Sequence, residues 1–304
     1  MRILLVNDDG PPAPASPFIR DFYIALSRHH DVYVVLPAQQ RSWIGLSFLI
    51  DQPAVGYYYY LKRDPSATAE TSDIGRPLKN DEICRWILIT GTPASVANIA
   101  LTNIYTDIDV VISGPNYGRN SSTPLVMSSG TVGGALGSAI RGFKAISLSY
   151  GIMEQPTDPA SIPMAHEWAV HLVNHLISHW NPEADVYSIN IPLVKSLPNA
   201  VAKYTCIQKS TFDRLFLPSL PSNPSKPTTT TTHIQDGAPL SFAWAPDIRK
   251  LIECSPDSLD TDTDAHCLSQ GNISIVPLRA NYETCYTNNT HNSTLPPRGS
   301  TIAK

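Results

Sequence analysis

Two adjacent acidic residues, Asp8 and Asp9, follow the apolar run Ile3–Val6 and precede Gly10. Comparable polar clusters stand elsewhere. Gln39-Gln40-Arg41-Ser42 comes after the apolar run Val32–Leu36, and Gly114-Pro115-Asn116-Tyr117-Gly118 after Asp109–Ser113. A fourth, Ser128-Ser129-Gly130-Thr131, opens a small-residue segment reaching Ile140. If each run is a strand of an open α/β sheet, these clusters fall where such sheets bind ligands, outside the carboxyl ends. Together they offer two carboxylates, a hydroxyl and an amide carbonyl, with no sulfur and no obligatory imidazole. Hard oxygen donors of that kind suit Mg²⁺, Mn²⁺ or Ca²⁺ rather than a structural zinc. Neighbouring carboxylates repel, and a divalent cation is a natural reason to keep both ionised. An isolated Asp-Asp-Gly is also an ordinary turn after a strand, and that reading stands beside the first.

Ser129-Gly130-Thr131 carries a similar pair of readings. Hydroxyl and glycine residues at a helix start leave unpaired amides at the positive end of the dipole, a place for an anion. Close helix–sheet packing explains the glycines equally well, since Gly133, Gly134 and Gly137 follow. A carboxylate-held cation beside an anion cradle is the arrangement of phosphoryl chemistry.

The elements that must position these groups alternate along the first two thirds of the chain. Strands are expected at Arg2–Asn7, Val32–Leu36, Arg85–Thr90, Asp109–Ser113, Lys144–Ser149 and Asp185–Asn190. Between them Phe18, Ile19, Phe22, Tyr23, Ala25 and Leu26 recur with helical spacing. Thr92-Pro93 is an N-cap followed by proline in the first turn of another helix. Further helices are expected over Thr131–Ile140 and Ile162–Trp180. Uncharged strands alternating with helices predict a doubly wound, mostly parallel Rossmann-like α/β sheet covered on both faces. The core is assigned to residues 1–195, with an extended hairpin-like insertion at about 43–82 that contains Tyr57–Tyr60. A C-terminal extension, 196–285, holds the Pro- and Thr-rich stretch Pro218–Thr232, read as a flexible loop, and a closing strand at 272–277. Residues 286–304 read as a loose tail.

Composition narrows the function further. Of 304 residues 42% are apolar and 16% charged, enough for a core and too little charge for a disordered chain. The net charge of −4 and the lack of a Lys/Arg cluster argue against gripping a nucleic-acid duplex. No apolar run approaches the roughly 18–20 residues of a membrane span. The first apolar run is too short for a signal-peptide core, so a cytoplasmic protein is expected. Five cysteines without a Cys-x-x-Cys suit a reducing compartment and form neither a disulfide framework nor a zinc knuckle. His171, His175 and His179 lie four apart but flank the Trp168/Leu172/Leu176 face, which reads as a solvated helix flank. Asp260, Asp262 and Asp264 open like a calcium loop, yet Ala265 stands where its glycine belongs and Gly271 where its glutamate belongs. Walker, Gly-x-Gly-x-x-Gly and Gly-x-Ser-x-Gly motifs are absent.

Met1–Gly10, Pro37–Ser42, Gly91-Thr92-Pro93-Ala94, Ser113–Gly118 and Ser129-Gly130-Thr131-Val132, in that order, resemble the SurE family of nucleotidases and acid phosphatases. The late segment from Thr263-Asp264 through Gly271–Leu278 is similar to that family's closing strand. The resemblance covers residues 1–195 and 262–280. It implies metal-dependent hydrolysis of phosphomonoesters, commonly nucleoside 5′- and 3′-monophosphates, by a metal-activated water. On the matching motifs it implies Asp8, Asp9, Ser42 and Asn116 as ligands of one Mg²⁺ or Mn²⁺ per subunit, with Ca²⁺ able to stand in within a crystal. Asp8, Asp9 and Asn116 would be catalytic, with Asp8 or Asp9 the base. Asn7, Ser42, Gly114, Ser129, Gly130 and Thr131 would bind substrate phosphate. A homodimer or higher homo-oligomer formed through part of residues 195–285 is implied as well. Pro11-Pro12-Ala13-Pro14 departs from the glycine-containing loop of bacterial members and leaves substrate preference open. A catalytically silent nucleotide-binding or scaffold module on the same fold is the alternative. The intact acidic pair favours the enzyme.

Overall fold

The computed structural model describes residues 1–153, 157–220, 223–227, 240–247 and 261–282. In chain order the elements are β1 (Arg2–Val6), α1 (Ile19–Leu26), β2 (Asp31–Pro37), β3 (Gly56–Lys62), β4 (Glu70–Ser72) and β5 (Glu82–Ile89). Next come α2 (Pro93–Ile99, extended by a π turn Ala100–Ile104), β6 (Val110–Tyr117), α3 (Ser122–Ser128), α4 (Gly130–Ile140), β7 (Lys144–Ile152), α5 (Ser161–Ser178) and β8 (Val186–Leu193). The remainder holds β9 (Ala202–Tyr204), β10 (Phe216–Leu220), β11 (Asn223–Pro227), β12 (Phe242–Trp244), α6 (Asp264–Ser269) and β13 (Ile273–Leu278).

Ten strands form one sheet in the order β4-β3-β5-β2-β1-β6-β7-β8-β13-β9. From β5 to β8 all neighbours are parallel. The central strand β1 explains why. Ile3, Leu4, Leu5 and Val6 are wholly buried, and successive side chains enter opposite layers. Ile3 and Leu5 pack with Phe18, Ile19 and Phe22 near α1 and with Ala169 and Val173 of α5. Leu4 and Val6 pack with Val96 and Ala97 of α2 and Ala135 of α4. Burying each such side chain contributes about 1.5–3 kcal/mol. As the sequence predicts, Thr92 caps α2 by accepting from Ser95 N–H at 3.2 Å.

The insertion forms the β3–β4 hairpin, which adds antiparallel strands beside β5. After residue 195 the chain returns to the main sheet through β9 and β13, with β13 antiparallel to β8. The Pro/Thr stretch departs from its reading as a loop. Its described part supplies β10 and β11, which with β12 make a three-stranded sheet. Pro218 removes only its own donor. Around it Ser219 N–H reaches Ser241 O at 2.8 Å and Ala245 N–H reaches Leu215 O at 3.0 Å, so the extended pairing persists. The end of that stretch and the tail 286–304 lie outside the described residues. His171 and His175 on α5 and His179 at its C-cap are exposed, as expected of a solvated flank.

Candidate active site

The carboxyl end of β1 sets the site. Asn7, fully buried, closes the turn that follows: its Oδ1 accepts from Gly10 N–H at 3.0 Å and its Nδ2 donates to Gly10 O at 2.8 Å. A further bond to Ser16 Oγ at 3.3 Å completes its partners. Asn7 therefore shapes the acidic loop, where the sequence reading made it a phosphate ligand. Gly114 also has a structural role. Its φ of +129° and a would-be Cβ only 2.1 Å from Leu148 O show a backbone pressed against β7, which by itself accounts for a glycine there.

Asp8 and Asp9 are 3% and 4% exposed. Thr131 Oγ1 donates to Asp8 Oδ1, and Tyr117 N–H donates to Asp9 Oδ2 at 2.8 Å. Arg41 N–H donates to Asp8 O at 2.7 Å, which draws the loop after β2, with Ser42, against the acidic pair. Gln40 Nε2 lies 3.1 Å from Ser42 Oγ, and its side chain also reaches Asp9. Gly130 is demanded by crowding, because a Cβ there would lie 2.8 Å from Asp8 Cβ and 2.9 Å from Arg41 O. Burial raises both carboxyls above the ordinary carboxylate range, and at Asp9 the charge of Asp8 raises it further. No salt bridge reaches either one among the described residues.

Asp8, Ser42, Asn116 and Ser129 line one cleft of about 450 Å³, with Asp9 beside Asp8 but outside the lining. Asn116 Nδ2 donates to Gly118 O at 2.8 Å, so its carbonyl oxygen is the end left for a ligand. Ser129 Oγ accepts from Val132 N–H at 3.1 Å and caps α4, while Thr131 is held by Asp8. Among the described residues no three His, Cys, Asp or Glu side chains converge, so a cation here would draw on Ser42 and Asn116 besides the carboxylates. That donor set fits a hard divalent ion: two carboxylates that no salt bridge reaches among the described residues, plus neutral oxygens.

Trp43 and Arg119, which carry no motif in the sequence, also line the cleft, as does Asn120, which the sequence marks only as the start of an Asn-x-Ser sequon. Asn120 is fixed by backbone bonds to and from the Asn190 amide, at 2.7 and 3.0 Å, and by Ser149 Oγ at 2.9 Å, all of them buried. Asp264, fully buried, accepts from Ser122 N–H and Gln208 N–H, each at 2.9 Å. It thereby ties α6 to the segment carrying Arg119 and Asn120. In the sequence Asp264 stands in a failed calcium loop and at the start of the segment that resembles the family's closing strand, without a stated role.

A doubly wound α/β protein with a buried acidic pair at the carboxyl ends of its central strands is the class these features define. The profile of the Survival protein SurE family matches residues 3–214. The chain belongs to that family. A "5'-nucleotidase SurE" from Fervidobacterium nodosum is 36% identical, with 91% of each chain covered. One from Methanocella arvoryzae is 26% identical over 93% of this chain and 94% of its own. The "Probable tubulin--tyrosine ligase PBY1" of Saccharomyces cerevisiae is 32% identical, and this chain spans 41% of its length. The crystal structure of a SurE protein from Aquifex aeolicus shares the fold, with a TM-score of 0.64 and 21% identity over 95% of this chain and 96% of that one.

Proposed function

We propose that this chain hydrolyses phosphomonoesters, nucleoside 5′- and 3′-monophosphates among them, with one Mg²⁺ or Mn²⁺ per subunit. The observation that carries the reading is the buried Asp8–Asp9 pair, whose charge no protein cation offsets among the described residues, beside a cleft lined by Ser42 and Asn116. Asp8, Asp9, Ser42 and Asn116 would hold the cation. When bound, it supplies Lewis-acid polarisation of the phosphoryl oxygens. The chain's own groups do the rest. A carboxylate oxygen of the pair that the cation leaves free would accept a proton from water. Thr131 and the Tyr117 amide keep the two carboxylates in fixed orientation. Ser129 and Gly130 place the start of α4 beside the phosphate position.

The nucleotidase names of the bacterial and archaeal relatives support the substrate class. The yeast relative's ligase name belongs to a much longer chain and is not carried over. The purified protein should release phosphate from AMP and p-nitrophenyl phosphate, and EDTA should abolish release until Mg²⁺ or Mn²⁺ is restored. Turnover unaffected by thorough chelation would remove the cation from the proposal. We further propose a homodimer that uses part of residues 195–285, and a monomeric mass by light scattering at micromolar concentration would contradict it.

A further inference from the structure

The cleft contains more than a phosphate site needs. Beside its oxygen donors stand Trp43, Leu125, Ile152 and Met153. Trp43 immediately follows Ser42, and its φ of 59° lies in the left-handed region that bulky residues avoid. Its loop is locked there. Gly45 N–H donates to Ser128 O at 2.9 Å, and a Cβ on Gly133 would come within 2.2 Å of Gly45 O, so the loop sits directly on α4. Such backbone outliers persist only where the surroundings over-determine them, and they gather at ligand sites. Trp43 is also braced from the second sheet. The Trp244 ring of β12 meets it edge-on at 4.9 Å and 71°, Phe212 lies at 6.4 Å, and Phe216 packs on Trp244 at 5.2 Å. A half-buried indole set into the cleft wall, flanked by two rings and backed through Trp244 by a third, is built to meet a flat apolar group.

We propose that Trp43, braced by Trp244, is the specificity residue on which the nucleobase of the substrate stacks while the phosphate lies at the acidic pair. Stacking of a base on an aromatic side chain is sequence-tolerant because every base has a π-face, so the wall selects nucleotides as a class over aliphatic sugar phosphates. It also gives the small sheet a task in the site, since Trp244 reaches the cleft only through Trp43. The inference rests on the phosphomonoesterase reading above and names the part of the substrate that reading leaves open.

The test compares AMP with ribose 5-phosphate, which keeps sugar and phosphate and lacks the base. In the unaltered full chain, kcat/KM for AMP should exceed that for ribose 5-phosphate by at least about tenfold, the scale of one stacked base. Trp43→Gly suits the left-handed backbone and deletes the ring, and should lower this ratio about tenfold. Trp43→Phe should hold it within about threefold. Trp244→Leu should lower it by a smaller factor, through KM more than kcat. Calorimetric binding of adenosine against ribose measures the same preference without turnover, so it decides the point even if no phosphomonoester is hydrolysed. A chain that turns over AMP and ribose 5-phosphate equally, or binds adenosine no better than ribose, overturns the proposal and leaves the phosphatase reading standing. A ratio unmoved in Trp43→Gly while Tm falls makes Trp43 a seat for the second sheet and overturns it too.

Discussion

Glu82 and the Asp8–Asp9 pair are all buried carboxylates, and the chain treats them in opposite ways. Glu82, at the start of β5, receives two Arg76 guanidinium N–H groups at 2.8 Å each, the Lys79 N–H at 2.7 Å and Lys62 Nζ at 3.1 Å. Arg76 foremost holds its carboxyl well below the usual range. Asp8 and Asp9 receive a hydroxyl and a backbone amide, repel one another, and are pushed the other way. A buried charge with a full set of donors anchors structure. One left short of positive charge at a cleft is held for something that arrives later.

The contrast is open to attack, beginning where the effect is largest. Asp8→Asn or Asp9→Asn should lower kcat/KM at least about a hundredfold, on the order of 3 kcal/mol, without lowering the Tm of the metal-free protein. Glu82→Gln should do the reverse, reducing Tm and leaving kcat/KM where it was. Near-normal turnover with unchanged metal dependence in Asp9→Asn would make the acidic pair a turn and nothing more.

His166 is an intermediate case. It is buried, with Nδ1 2.9 Å from Tyr150 Oη and Nε2 without a partner among the described residues, and burial lowers its pKa to about 4. The unfolded chain takes up this proton near pH 6.5 and the folded chain only near 4. Folding stability tied to His166 is therefore complete above about pH 6.5 and is lost as pH falls to about 4, by up to about 3 kcal/mol. His166→Gln keeps a partner for Tyr150 and should flatten the Tm-against-pH curve across that window. An unchanged slope would show that other groups carry it.

Saturating divalent cation sharpens the comparison from the other side. At a hundred times its Kd, Mg²⁺ or Mn²⁺ should add about 2.7 kcal/mol of stability, and Asp9→Asn should lose most of that gain. Ser42→Ala is the smallest change, about tenfold in kcat/KM, because water can replace a neutral hydroxyl ligand. A loss as large as that of Asp9→Asn would promote Ser42 above the carboxylates.

The sheet was legible because its central strands are buried on both faces. Ile3–Val6 and Val110–Ile112 carry no polar residue, and Thr92-Pro93 marks its helix unaided. The acidic pair was legible because it ends such a strand. What sequence concealed depends on distant partners. Phe216 and Leu217 sit just before a proline-rich stretch and pair as a strand with Trp244 and Ala243. Asp264 gains its role from two amides 142 and 56 residues away. Asn7 and Gly114 stood in the right motifs, yet their side-chain and backbone contacts serve the turn and the β6–β7 packing. Trp43 has no periodic signal, and its backbone conformation, its place in the cleft and its ring contacts single it out.

Two of the contacts that fix the acidic pair come from the main-chain amides of Arg41 and Tyr117. Any residue except proline brings that donor, so no particular side chain has to be inherited at either position to keep the carboxylates aimed. Both loops can consequently drift in evolution, acquiring new rims and new preferences, while the chemistry beneath them stays registered to the sheet. A library randomised at positions 41 and 117 should return many active members and exclude proline from both.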